Sequence, residues 1–212
     1  MEGAEVYGNM VNYHLNPEFE ARDVVGDKSD DLNERNYGNA DVKGPDADHG
    51  THVAGIIAAN RSNELGIKGV ATPVQIMAVR CVPDGDERDK DVANSIRYAA
   101  DNGAKIINMS FGKSMSPGKK VVDEAIKYAA SKDVLLIHAA GNDAQNNDTS
   151  DNFPNDHNDG KEYTNALLEV GACSWQRNEA AVGNFSNYGK KNGDVFAPGV
   201  AIYSTLPESK YG

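Results

Sequence analysis

Two histidines three residues apart, His49 and His52, open the stretch "DHGTHVAGIIAAN" that runs from Asp48 to Asn60. That spacing lets both share one helix face, so they read as metal ligands, as core residues or as part of an acid–base machine. A zinc site is geometrically open, but H-x-x-H lacks the i, i+4 spacing and the internal Glu of H-E-x-x-H, and no Cys/His cluster completes it. His49, in the first helical turn after Asp48 as N-cap, is where a general base would sit, because the N-terminal end of a helix favours a neutral ring. Gly50, Thr51, Val53, Ala54 and Gly55 are small enough that this helix should pack deeply against a sheet.

Asn142, in "AAGND", follows a glycine at the end of an apolar run. There its side-chain amide is placed to act as an oxyanion donor, while an isolated Asn of this kind would simply begin a turn. The strand end "NMSFG" offers backbone that an extended peptide can pair with by β-augmentation. Two other motifs fail. "GKS" at 112–114 would need a glycine five residues before Gly112, where Ile107 stands, and "GKSMS" lacks the last glycine of a nucleophile elbow. The Asn/Asp tract from Gly141 to Gly160 reads as a solvated loop, with calcium as the functional alternative, although EF-hand spacing is missing.

The elements that must position these groups alternate. A helix is expected over 49–60, a strand over 73–80, a helix over 90–103 and a strand over 104–110. A helix over 119–131 and a strand over 133–140 follow, then a strand over 166–173 and shorter ones at "DVFAP" and "VAIYS". Strands recurring about every thirty residues with helices between them are the βαβ rhythm of a parallel sheet. Ligands of such sheets bind beyond the C-terminal strand ends, where "NMSFG" and "AAGND" lie. Residues 1–47 show no lasting period and read as a loop-rich segment of the same domain, whose core spans 48–212.

A chain of 212 residues suffices for one well-buried domain. Its net charge of −11 argues against nucleic acid or an anionic membrane as main partner. No apolar run reaches the length of a membrane span, and "MEGAEVYGNM" lacks the basic start and apolar stretch of a signal peptide. Cys81 and Cys173 read as small buried thiols.

"DHGTHVAGIIAAN", "NMSFG", "AAGND", "FSNYG" and "VFAPGVAIYSTLP" occur here in the order they take in subtilisin-like serine proteases, which this sequence resembles over roughly residues 46–212. The resemblance implies an α/β fold of three layers, a mostly parallel sheet with helices on both faces, incomplete at both ends. It implies a serine endopeptidase acting on polypeptide substrates through a Ser-His-Asp triad, with His49 as base and Asn142 as oxyanion donor. Ser110, Phe111 and Gly112 would pair with the substrate backbone. Ala139, Ala140 and Gly141 would wall the pocket for the side chain preceding the scissile bond. The family implies no required cofactor, calcium as an optional structural ion, and a secreted or cell-envelope location.

Two family motifs are missing. None of the serines stands in a G-T-S-M-A context, and among Asp23, Asp27, Asp30 and Asp31 none has the D-x-G pattern of the orienting aspartate, Asp27 being the nearest. The expectation is therefore an internal segment of a longer protease, inactive alone. A non-catalytic pseudo-protease or peptide-binding module is the alternative.

Overall fold

The computed structural model describes residues 7–8, 10–19, 21–71, 73–83, 85–178 and 180–212. The chain divides into two compact units, Met1–Ala40 and Asp41–Gly212. The first holds a π-helical turn at Met10–His14 and a 3-10 turn at Ala21–Val24. Tyr13 meets Phe19 edge-on, and the Arg22 guanidinium pairs with the Asp27 carboxylate at 2.6 Å.

The second unit is α/β. Helix α1 spans Asp48–Ala58, α2 spans Asp89–Asp101 and α3 spans Lys119–Ser131. Strands β1 (Ile106–Met109), β2 (Leu135–Ala139), β5 (Leu167–Cys173) and β6 (Val195–Pro198) form one parallel sheet in the order β1-β2-β5-β6. Two short antiparallel pairs complete the set: β3 (His157–Asn158) with β4 (Lys161–Glu162), and β7 (Thr205–Leu206) with β8 (Lys210–Tyr211).

Helices α2 and α3 present apolar residues at helical spacing and pack together. Val92, Ile96 and Ala100 of α2 meet Val122, Ala125, Ile126 and Ala129 of α3 in one core with Met109, Leu136 and Leu167 of the strands. Burying one such Ile or Leu side chain contributes roughly 1.5–3 kcal/mol. Asn102 and Gly103 end α2 as expected, Gly103 taking φ 89°. Asp89, in the first turn of α2, accepts hydrogen bonds from Ser116 Oγ and the Gly118 amide at 2.7 Å each. It also pairs with Lys113 at 2.9 Å, which ties the segment leaving β1 to the helix layer.

Three expectations fail. Residues 73–80 form no strand: Val74, Ile76 and Met77 are 48%, 49% and 41% exposed, and the outer edge of β1 has no ladder partner among the described residues. An apolar, β-branched run becomes a strand only where a neighbour takes up its backbone groups. "VAIYS" is likewise unpaired until Thr205, although Ser204 and Gly212 exchange backbone bonds. Asp48 does not cap α1; it is the first helical residue, Ala47 is the cap, and Asp46 accepts the Asp48 amide at 2.8 Å.

An open edge with Ile106 63% exposed should template association. The purified chain is expected to self-associate as its concentration rises, and Ile106→Lys to reduce this in sedimentation velocity.

Candidate active site

The parallel register sets the two candidate substrate segments side by side. Met109 pairs with His138, so β1 runs out into Ser110–Gly112 where β2 runs out into Ala140–Asn142. His138 ties them together: its Nε2 lies 2.8 Å from the Phe111 carbonyl and donates to it. The ring is fully buried with Nδ1 unpartnered, and burial pushes its pKa down to about 4, so it stays neutral. Asn108 donates to the Ser110 hydroxyl at 2.8 Å. The amides of Phe111 and Gly112 make no backbone hydrogen bond among the described residues, which leaves them free for an incoming peptide.

Asn142 is exposed, and its side chain has no protein partner among the described residues. The loop that carries it is nonetheless rigidly held. Gly141 takes φ +108°, and a Cβ there would lie 2.4 Å from Asn187 Nδ2, so only glycine fits. Asn187 donates its amide to the Gly141 carbonyl at 2.9 Å. Its Oδ1 accepts the Asp143 and Gln145 amides at 2.9 and 3.0 Å, and its Nδ2 donates to Asn147 Oδ1 at 3.2 Å. Asn147 Nδ2 in turn reaches the Ala140 carbonyl and the Glu169 carboxyl, both at 2.8 Å.

His49 and His52 separate. His52 has a ring nitrogen 3.2 Å from the Ile202 carbonyl, as befits a packing and hydrogen-bonding residue. His49 is exposed in the first turn of α1. No hydrogen bond or ion pair among the described residues joins His49 to a carboxylate or to the Ser110–Gly112 and Ala139–Asn142 segments. The small face of α1 packs on the C-terminal segment rather than on the sheet. Ser204 and Thr205 hydroxyls donate to the His52 and Thr51 carbonyls at 2.7 and 2.9 Å, and a Cβ on Gly55 would meet Thr205 Oγ1 at 2.1 Å. Asp27 is engaged by Arg22.

The Asn/Asp tract is a solvated loop only in part: Asn142–Gln145 and Asn158–Gly160 are exposed, while several of its asparagines are not. Asn147, Asn152 and Asn155 are buried, and Asp148 accepts the amides of Lys190, Lys191 and Asn192 at 2.9–3.1 Å. Those amides, with burial opposing them, hold the Asp148 carboxyl below its ordinary range. No group of three His, Cys, Asp or Glu able to hold a metal forms among the described residues. Asn147, Asn152 and Asn187 were not singled out by the sequence. Their only signal was the density of asparagine in "NDAQNNDTSDNFPN" and the "FSNYG" motif, which polarity alone assigns to the surface. Cys81 and Cys173 are free thiols, and burial pushes the first up to about 11.

The model of the subtilase family matches residues 9–212. The chain belongs to the subtilase family. Thermitase of Thermoactinomyces vulgaris is 40% identical over 164 residues, covering 77% of this chain and 53% of thermitase. The "Major intracellular serine protease" of Bacillus subtilis (strain 168) is 38% identical over 169 residues, covering 77% and 48%. Among solved structures, Sphericase superposes with a TM-score of 0.64 at 31% identity, covering 78% of this chain and 56% of that one. The S41 Psychrophilic Protease gives the same score at 29% identity, with the same coverage. This subtilase chain thus spans about half the length of the curated relatives it matches. It shares their α/β fold, a parallel sheet with helices. No helix among its described residues is long and apolar enough to cross a membrane.

Proposed function

We propose that this chain carries the substrate cleft and the general base of a subtilase serine endopeptidase acting on extended polypeptides. One observation carries the reading: parallel neighbours β1 and β2 set Ser110–Gly112, in which the Phe111 and Gly112 amides make no backbone hydrogen bond among the described residues, beside Ala139–Asn142, with an unpartnered side-chain amide. An extended peptide adds to the first segment by backbone pairing. Its scissile carbonyl then lies toward the second, where the Asn142 amide stabilises the negative charge that develops on the oxygen.

His49 takes the proton from the attacking hydroxyl and returns it to the leaving amine. The hydroxyl and the aspartate that orients the base have no counterpart by motif in these residues. The peptide chemistry needs no cofactor. One relative is named as intracellular, so compartment does not follow from membership; the resemblance favours a secreted or cell-envelope setting.

Titration of the ¹⁵N-labelled chain with an extended tetrapeptide is expected to shift the Phe111 and Gly112 amides and the Asn142 side-chain signals. Unmoved signals would exclude a peptide cleft. The same chain is expected to leave a chromogenic tetrapeptide intact. Hydrolysis abolished by His49→Ala would show that a nucleophile is present after all, and peptide binding by a complete protein that never cleaves would favour a pseudo-protease.

A further inference from the structure

Glu169 is a carboxyl built into the interior of the sheet. It lies on β5, 4% exposed, with His138 of β2 opposite it in register. A carboxyl there costs stability that an apolar residue would not, unless its hydrogen bonds offset the loss of water. Those bonds lead to the candidate oxyanion donor. Glu169 Oε1 accepts from Asn147 Nδ2 at 2.8 Å, and Asn147 Oδ1 accepts from Asn187 Nδ2 at 3.2 Å. Asn187 Oδ1 then accepts the amides of Asp143 and Gln145, just after Asn142, at 2.9 and 3.0 Å. Asn147 Nδ2 also holds the Ala140 carbonyl, on the other side of Asn142, at 2.8 Å.

We propose that Glu169 is a positioning residue for Asn142: as a carboxylate it anchors this chain of asparagine amides, and on taking up a proton it lets the Asn142 loop loosen. A carboxylate accepts more strongly than a neutral carboxyl, and each amide polarised by one bond accepts better at the next. Burial pushes the carboxyl up to about 7, so the change of state falls near neutrality and the loop is tightest above it. The assignment rests on the peptide-cleft reading above.

Other ionisable groups face Glu169. Asp194, ahead of β6, accepts the Glu169 backbone amide on Oδ2 at 2.7 Å. His138 stays neutral, and three backbone amides hold the Asp148 carboxyl below its ordinary range. His157 on β3 reaches the same asparagine by another route. Asn192 Nδ2 lies 3.3 Å from its Nε2 and donates to the Asn147 carbonyl at 2.6 Å. Asp156, 3.5 Å from His157 Nδ1, holds that ring above its ordinary range, while burial and Lys119 of α3 oppose this. An imidazole also changes charge near neutrality, so the test separates the two.

The ¹³C,¹⁵N-labelled chain is titrated by NMR from about pH 5 to about pH 9, reading the Glu169 carboxyl carbon, the His157 ring and the loop amides in one sample. The Asp143 and Gln145 amides and the Asn142 side chain are expected to move in one step, with the Glu169 midpoint. Hydrogen exchange at Asp143 and Gln145, corrected for its intrinsic pH dependence, should be about tenfold less protected below that step. Glu169→Gln, which resembles the protonated form, should abolish the step, and His157→Gln should leave it. Asn147→Ala cuts the chain of bonds and serves if the glutamine variant does not fold: Glu169 then titrates and the loop no longer follows. Loop signals that stay flat while Glu169 titrates, or that lose their step in His157→Gln, overturn the assignment and leave the cleft standing. A carboxyl that does not titrate in this range overturns it too. Loop signals that follow Glu169 in a chain that binds no extended tetrapeptide overturn the cleft and leave the relay standing.

Discussion

Glu169→Gln is expected to make the protein lose stability steadily as the pH falls from about 6.5 to about 4, where the unsubstituted chain changes little. Glu169 lies inside the sheet on β5, 4% exposed. Burial pushes its carboxyl up to about 7, against an ordinary value of 4.5; the Asn147 amide and His157 oppose this, and Asp194 and Asp156 add to it. With its folded pKa raised, the group holds a proton in the folded state first. Its contribution is fully present below about 4.5 and is lost as the pH rises through about 7.

His138 does the reverse. Burial pushes it from 6.5 down to about 4, with the Phe111 carbonyl opposing. The unfolded chain takes up the proton first, so its contribution is present above about 6.5 and is lost as the pH falls through about 4. Each is worth about 3 kcal/mol across its window, with opposite sign. The glutamine variant removes one slope and exposes the other, and His138→Gln should do the converse. Urea midpoints at several pH values between 4 and 7 read both. A difference between Glu169→Gln and the unsubstituted chain that does not vary with pH would refute the buried-carboxyl account.

Asn187→Ala is expected to cost about 3 kcal/mol and to loosen the loop that carries Asn142. The substitution strands the Asp143 and Gln145 amides and the Asn147 side-chain oxygen, all of which now bond to Asn187, itself 3% exposed. Each such group, left unsatisfied, costs roughly 1–3 kcal/mol, reduced where water enters. Hydrogen exchange of the Asp143 and Gln145 amides should accelerate with the fall in melting temperature. Gly141→Ala should act on the same clamp from the other side, because its Cβ would drive into Asn187 Nδ2 from a backbone at φ +108°. If exchange at Asp143 stays slow while the protein melts earlier, Asn187 supports the fold but does not hold this loop.

The helices and inner strands were legible because their signal is local. Lys119–Ser131 and Leu167–Cys173 fall within a residue of their expected bounds, since an amphipathic stripe or a buried apolar run leaves few other ways to hide the same side chains. The run over 73–80 carried the same signal and failed, because strand formation also needs a partner, which no local pattern contains. The candidate cleft residues Ser110–Gly112 and Ala139–Asn142 were legible as motifs at strand ends. Their adjacency depended on the β1–β2 register.

The asparagines show where local reading stops. Residue type says that Asn147, Asn152 and Asn187 are polar, and polarity places them in water by default. Tertiary structure buries them, because the loops after β2 and before β6 fold onto one another and their unpaired amides and carbonyls must be satisfied inside. Residue type and spacing were thus enough for the family and for the parallel α/β plan. Only the folded chain decided which side chains hold the Asn142 loop and that Asn152 spans the gap from Ala139–Ala140 to Gly112, since those hydrogen bonds join residues 7 to 44 positions apart and leave no periodic trace.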